Sequence, residues 1–461
     1  MTPENDQLNK LGIIADFFQF NQLNTNFRTE TIAGITTFVT MAYILVVNPD
    51  ILSKAIFLQN SGDLFGELVI ATAISAAFAT LIMGIYGNYP FALAPGMGLN
   101  AYFTFSVVLK LGISWQIALA AVFVEGLIFI GLTISKIRNQ IVNAIPESIK
   151  QATTVGIGLF IAYIALINTK IIVANETTTT TLGNLNQPEI LVAIAGIIIT
   201  SGFIARRITG ALLWGILATA LLSWILGIAP LPQGIVSFPE LPTHLFGQAF
   251  IGLKSLIKTN IWELITIIFV LIFVDLFDTV GTLTGLGIKT GYFNQTGKSL
   301  NLKKAFMADA IGTTFGAVMG TSTVTTYIES ASGISEGGRS GFTAVITAIL
   351  FILSIFFIPL LSAIPSFATA PALLIVGVLM MGSVRNIHWE DPTESISAFL
   401  TIIIMPLSYS IADGLAMGLI IYPLLKTFQG KVHETTFTMW LLAIIFILKF
   451  VLVGKESLTS N

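Results

Sequence analysis

Apolar runs long enough to cross a lipid bilayer follow one another along almost the whole chain, and they constrain the fold more than any other feature. A membrane span needs about 20 consecutive apolar residues. Runs near that length read as 31–49, 67–87, 90–110, 114–134, 148–168, 188–205 and 209–228. A second set reads 261–287, 303–320, 321–335, 341–363, 368–385, 395–410 and 411–428, and one more apolar run lies at 437–453. Only 10% of the residues are charged, whereas a soluble domain carries about 25%. The chain therefore reads as an all-α polytopic membrane protein of about fourteen spans. Its net charge of −2 supplies no basic field for nucleic acid. With no cysteine and three His, thiolate and His-rich metal sites are disfavoured.

Loop charges suggest an orientation. Lys136, Arg138 and Lys150 fall between spans four and five, and Arg206-Arg207 between six and seven. Lys289, Lys298, Lys303 and Lys304 fall between eight and nine, and Lys426 and Lys431 follow span fourteen. A cytoplasmic N-terminus places all of these inside, as the positive-inside rule requires. Residues 1–30 then form a cytoplasmic segment without the apolar stretch of a cleaved signal peptide. Residues 31–228 are the first seven-span unit, 229–260 an extracytoplasmic linker, 261–428 the second unit and 429–461 an apolar segment and tail. The segment Thr177 to Thr181 reads as a plain polar loop outside.

The two units resemble each other. Ala144-Ile145-Pro146 opens span five and Ala363-Ile364-Pro365 opens span twelve, with Gly158 and Gly377 at the same offset. Gly87-Asn88-Tyr89-Pro90 before span three corresponds in place to Gly320-Thr321-Ser322-Thr323 before span ten. An odd number of spans per unit makes the repeats inverted, an arrangement of secondary transporters that puts the site near the midplane. Spans three and ten are irregular. Pro95, Gly96 and Gly98 interrupt the first, and the run Thr321-Ser322-Thr323-Val324-Thr325-Thr326 opens the second. Both read as short extended segments leading into half-helices that begin near Gly96 and Glu329. Such backbone survives at membrane depth only where protein or a water-filled cavity covers it.

Asp275 and Asp278 lie inside the run Ile261–Gly287. A midplane acid costs about 2.5–3.5 kcal/mol on insertion scales, and two acids three residues apart fall on one side of a helix. A pair satisfied by neighbouring hydroxyls is the ordinary explanation; a site for a substrate, ion or proton is the one the cost favours. Glu329 is the span-ten candidate, although a helix starting near the surface would leave it solvated. Asn100 reads equally well as a cap on its half-helix. Glu125 and Asp309 read as structural or gating residues, Asp413 as the cap of span fourteen, and Tyr43 as an ordinary helix-contact residue. An intramembrane protease is disfavoured, because Ser332-Gly333 lacks a His partner and both Asp residues share one span.

Four stretches carry a resemblance. They are Asn26-Phe27-Arg28-Thr29-Glu30 with Ala33-Gly34-Ile35-Thr36-Thr37-Phe38, Ala94-Pro95-Gly96-Met97-Gly98-Leu99-Asn100-Ala101-Tyr102-Phe103, Asp275-Leu276-Phe277-Asp278-Thr279-Val280-Gly281-Thr282, and Tyr327-Ile328-Glu329-Ser330-Ala331-Ser332-Gly333. In that order they resemble the motifs of AzgA-like adenine/guanine/hypoxanthine permeases of the nucleobase–ascorbate transporter superfamily. The resemblance implies seven plus seven inverted repeats. A core domain would hold spans one to four and eight to eleven, and a gate domain spans five to seven and twelve to fourteen. It also implies that a span-eight carboxylate, Asp275 or Asp278, and Glu329 hold the base, with Phe91 and Asn100 contributing from span three. Ser330 and Thr282 complete the candidate set. Thr282 stands where uracil-type members carry a His, which fits a purine branch but leaves open which Asp binds.

The chemistry points the same way. Ionised carboxylates only accept hydrogen bonds, so Glu329 and one Asp can each take a purine N–H. Two neighbouring buried acids rarely both stay ionised; Asp275 and Asp278 are thus expected to share a proton carried inward. The expectation is import of purine nucleobases by proton symport and elevator-type alternating access, with the proton as coupling ion and no cofactor. The expected partners are the purine base, the lipid of the cell (inner) membrane and a second copy joined through the gate; nucleic acid is not among them. The runner-up is an anion permease of the sulfate/bicarbonate type with the same architecture. Three acids in the site, with no Arg or Lys among them, argue against it.

Overall fold

The computed structural model describes residues 12–56, 64–135, 145–239, 241–256, 260–290 and 302–459. Lys136, Arg138, Ala144 and Lys298 of the charge and repeat patterns lie outside the described residues. Among the described residues, nine helices are long and apolar enough to cross a membrane. They are Phe27–Leu52, Leu64–Gly87, Trp115–Ile134, Glu147–Asn168, Pro188–Ala205, Ile261–Gly287, Gly341–Ser362, Ser366–Asn386 and Ile411–Phe428. Ala211–Ile225, Pro392–Ser408 and Phe437–Leu448 are shorter apolar helices, and Leu302–Met319 fills the expected ninth run. Spans keep their sequence numbers below.

Spans three and ten break as the glycines, proline and threonines require. Span three is the strand β1 (Leu93–Pro95) followed by a helix from Met97 that loosens into π-helix over Tyr102–Lys110. Two strands, β2 (Ile172–Asn175) and β3 (Thr179–Leu182), form a hairpin. The Thr177 to Thr181 segment is thus not a plain loop: β-branched Thr, Ile and Val favour strand, and the Asn175 side chain accepts from the amides of Thr177 and Thr178 at 2.9 Å each to make the turn. Span ten is the strand β4 (Val324–Thr326) followed by the half-helix Ser330–Ser335. β1 and β4 pair antiparallel, Leu93 with Thr326, Ala94 with Thr325 and Pro95 with Val324.

The linker also holds more structure than its composition suggests. Gln248–Leu256 is a helix laid on span four so closely that a Cβ on Gly252 would stand 1.9 Å from the Gln116 carbonyl oxygen. Only glycine fits that contact. Gly158 and Gly377, matched in the sequence, face each other in space: a Cβ on either would come within 2.9 Å or 2.5 Å of the other's carbonyl oxygen. Span one is anchored at its start by buried Glu30. Its carboxylate accepts from the amides of Arg339 (2.9 Å) and Ser340 (3.2 Å) and from the hydroxyls of Thr343 (2.5 Å) and Thr25 (2.7 Å). Those bonds lock span one to the head of span eleven. At Ala42–Tyr43 the same span bends, its bonds tightening to the three-residue pattern Leu45 to Ala42 and Val46 to Tyr43.

Candidate functional site

Two three-residue strands at membrane depth would leave polar backbone exposed to lipid, which is costly, unless the protein satisfies it. Here it does. The Gly96 amide donates to the Thr323 carbonyl at 2.9 Å and the Tyr327 amide to the Ala92 carbonyl at 3.0 Å. The Thr80 hydroxyl serves both the amide and the carbonyl of Leu93 at 2.9 and 3.0 Å. Thr313 donates to the Val324 carbonyl at 2.8 Å, and the Tyr327 phenol to the Pro95 carbonyl at 2.5 Å. Ser330 is part of this frame: its hydroxyl oxygen accepts from the Ala92 amide at 3.0 Å.

Five acids surround β4 in two groups. Successive strand residues project to opposite faces, so Thr325 and Thr326 reach different partners. The Thr325 hydroxyl donates to Asp278 Oδ2 at 2.9 Å, whereas Thr326 donates to Asp309 Oδ1 at 3.1 Å. Asp309 also takes a bond from Thr279 at 3.0 Å, and the same hydroxyl lies 3.5 Å from Asp275 Oδ1. Thr323 donates to Glu125 Oε2 at 2.7 Å. Asp275, Asp309 and Glu125 are wholly buried. Asp275 Oδ2 and Glu125 Oε1 have no hydrogen-bond partner among the described residues, and Asp275 lies within electrostatic reach of Asp309, Glu125 and Asp278.

Asp278 and Glu329 differ from that trio in being only partly buried. Glu329 stands at the N-cap position of the half-helix without a side-chain capping bond, and its Oε1 accepts from the Tyr43 phenol at 2.7 Å. Asp275 and Asp278 therefore part company, the 60° between positions three apart on a helix sufficing to aim them at different threonines. No hydrogen bond joins them. Among the described residues no Lys, Arg or His forms an ion pair with any of the five acids, and no cluster of His, Asp and Glu is arranged to hold a metal.

The other candidates fall around this frame. Asn100 is not the cap of its half-helix; Gly96 occupies that position, and Asn100 lies one turn in with its side-chain oxygen bonded to the Ser322 hydroxyl. Its amide nitrogen has no partner among the described residues. Phe91 is fully buried, stacked on Tyr89 with centroids 5.4 Å apart, in a cluster with Leu93, Phe129 and Leu276. Thr282 is half-buried one turn beyond Asp278. Asp413 is likewise not a cap: Ser410 caps span fourteen, and the Asp413 carboxylate pairs with Lys110 at 2.8 Å. Sequence reasoning read Tyr43 as an ordinary helix contact and Glu125 and Asp309 as structural or gating residues, and gave Thr325 and Thr326 no partner. Hydroxyls carry little signal in a membrane helix; only strand pairing reveals which carboxylate each one meets.

The Asp278 face of span eight is asymmetric along its length. Toward the N-terminal end Ile267, Leu271 and Val274 are buried. Toward the other end Gly281 and Gly285 are exposed; among the described residues a Cβ on Gly281 would meet nothing within 4 Å, and one on Gly285 would meet Ile328 at 3.6 Å. Among the described residues, this face of span eight is thus covered toward its N-terminal end and exposed at Gly281 and Gly285 toward the other.

A mostly helical fold with nine helices among the described residues long and apolar enough to cross a membrane, and broken helices meeting around buried carboxylates, is that of a polytopic membrane protein. The chain belongs to the Permease family (Xan_ur_permease), whose pattern matches residues 28–417, within the nucleobase–ascorbate transporter superfamily to which the motifs point. The guanine/hypoxanthine permease PbuG of Bacillus subtilis is 44% identical, over 94% of this chain and 99% of that protein. The adenine permease AdeP of Escherichia coli is 40% identical, over 96% of this chain and 97% of its own length. In fold the chain is similar to the transmembrane domain of a cyanobacterium bicarbonate transporter, BicA, with a TM-score of 0.62 at 17% identity, covering 85% of this chain and 97% of that one.

Proposed function

We propose that this chain is a secondary active transporter that imports the purine nucleobases hypoxanthine, guanine and adenine, driven by proton symport and alternating access of the elevator type. One observation carries the reading. Among the described residues, Asp278 and Glu329 are half-buried carboxylates with no cation paired to them, each with one oxygen held by the hydroxyl of another residue. Such a pair accepts from N–H donors of a neutral ring and repels anions. The relatives that transport guanine, hypoxanthine or adenine by name support the same substrate class. In this reading Asp278, not Asp275, binds the base, with Thr282 beside it. Asn100 and Ser330 hold the strand crossing, and Phe91 packs behind it.

The coupling proton belongs to the buried trio Asp275, Asp309 and Glu125 in this proposal. Three carboxylates without a counter-cation cannot all remain ionised out of water, and Thr279 and Thr326 link them to the strand that frames the base. The antiparallel β1–β4 pairing and the facing Gly158 and Gly377 support seven plus seven inverted repeats in fourteen spans. The core of spans one to four and eight to eleven would move past the gate of spans five to seven and twelve to fourteen. With the N-terminus cytoplasmic in the inner membrane, the covered end of the site faces outward and the glycine-lined end inward. A homodimer through the gate belongs to the same reading by resemblance.

The test is uptake of radiolabelled hypoxanthine, adenine, guanine and uracil in a strain lacking its own base permeases, with and without a protonophore. Saturable purine uptake abolished by the protonophore is expected, and lost in Glu329→Ala at normal membrane levels. Uptake indifferent to the proton gradient would sink the coupling. Absence of any base uptake by well-expressed protein would favour the anion reading that the BicA-like fold keeps open, with bicarbonate and sulfate tested next.

A further inference from the structure

We propose that Tyr43 sets which purine the site prefers by occupying one oxygen of Glu329; this rests on the purine reading above. The bend at Ala42–Tyr43 turns the Tyr43 ring into the molecule, where the residue is 1% exposed and its phenol donates to Glu329 Oε1 at 2.7 Å. The other phenol nearby, Tyr327, is committed elsewhere, to the Pro95 carbonyl. Apart from Tyr43, the only hydrogen-bond partner of the Glu329 carboxylate among the described residues is its own backbone amide, and the side chain is partly open. Asp278 is arranged alike, with Oδ2 taken by Thr325.

A carboxylate with both oxygens free grips two parallel N–H donors as a fork, in the manner of the bidentate pairs it makes with guanidinium. Guanine presents that edge, N1–H beside its 2-amino group. Hypoxanthine presents N1–H with a carbon-bound hydrogen beside it and needs only one oxygen. With Oε1 held by the phenol, Glu329 offers one strong acceptor, and the second N–H of guanine goes unrewarded. Tyr43 thereby narrows the gap between the two bases. Removing its hydroxyl frees Oε1, and a buried oxygen left unpaired favours whichever base brings a second donor.

The experiment is Tyr43→Phe in the full-length chain, with Vmax/KM measured for radiolabelled hypoxanthine and guanine in the same cells. The ratio cancels expression level, which a merely structural loss would change for both bases alike. We expect the guanine-to-hypoxanthine ratio to rise ~10-fold, as one charge-assisted hydrogen bond gained by guanine alone implies. A ratio unchanged within about twofold overturns the proposal, since one such bond is worth more than that. If Tyr43→Phe does not reach the membrane, 3-fluorotyrosine at position 43 keeps the shape and strengthens the donor. The ratio is then expected to move toward hypoxanthine, and an unmoved ratio again overturns the proposal. Glu329→Gln separates the two levels. Wild-type uptake of both bases in that variant refutes the site itself, whereas loss there with an unmoved ratio in the Tyr43 variants refutes only the role of Tyr43.

Discussion

Exchanging each span-eight acid for its amide should separate base binding from coupling. Asp278 accepts from Thr325 through Oδ2, and in the proposed site Oδ1 is the oxygen that takes the substrate. In Asp278→Asn the amide oxygen can still accept from Thr325, but the open position then carries an NH2 group, a donor set against the donor of the base. A hydrogen bond to a charged group contributes about 1.5–3 kcal/mol, and each 1.4 kcal/mol is about a factor of ten. The apparent KM should therefore rise roughly 10- to 150-fold. Asp275 is wholly buried, holds Thr279 only at 3.5 Å and presents no oxygen to the open face. Asp275→Asn should leave the KM for the base near wild type while abolishing accumulation against a gradient, with counterflow exchange retained. The assay is initial-rate uptake over a substrate series, paired with exchange in proteoliposomes. A KM within about threefold of wild type in Asp278→Asn, less than the smallest loss of one such bond, would refute the assignment. So would a KM defect of equal size in both variants.

Two further outcomes are expected. Lys110 binds Asp413 at 2.8 Å and the Ser408 carbonyl at 2.7 Å, while Thr369 donates to Asp50 at 3.0 Å. Both links join a proposed core span to a proposed gate span at the end away from the glycine-lined face. Lys110→Met combined with Thr369→Val, which removes the donating hydroxyl, should open that end. Labelling of a single cysteine introduced near Asp278 by an impermeant thiol reagent from outside should then increase, free of background because the chain has no cysteine; unchanged labelling would remove the latch from the mechanism. Asp391, outside the spans, caps helix Pro392–Ser408. Burial opposes its ionisation, but the Thr393 hydroxyl and amide and the Lys426 ammonium outweigh it and bring the carboxyl down to about 2. A depressed folded-state pKa stabilises above the unfolded value and is lost as pH falls through the folded one. The Tm gap between wild type and Asp391→Asn should hold from neutral pH to about 5 and close between about 4 and 2; a gap that widens on acidification contradicts this.

Much of the architecture was legible in the chain because the bilayer is a demanding solvent. Apolar runs near the spanning length announce helices whatever their neighbours, and the run 188–205 coincides with the helix Pro188–Ala205. Pro95 and the threonines around Val324 mark where a helix cannot continue, and both became strand. The helix Gln248–Leu256 was hidden because its residues match a polar linker; what orders it is the close seat of Gly252 on span four. The Thr177 to Thr181 hairpin was hidden because threonine is common to loops and strands alike.

The sequence alone determined that this is a multi-spanning membrane protein, that two of its spans are broken, and that acids lie inside apolar runs, because burying charge and unpaired backbone in lipid is costly wherever it occurs. What only the tertiary structure decided is how those acids divide. Asp309 and Glu125, far apart in the chain and read from it as structural or gating residues, join Asp275 as wholly buried acids around β4, while Asp278 and Glu329 are only partly buried, with Thr325 and Tyr43 each bonded to one oxygen. A hydrogen bond reaches about 3 Å, and no pattern along one span specifies which hydroxyl from another will stand within that distance.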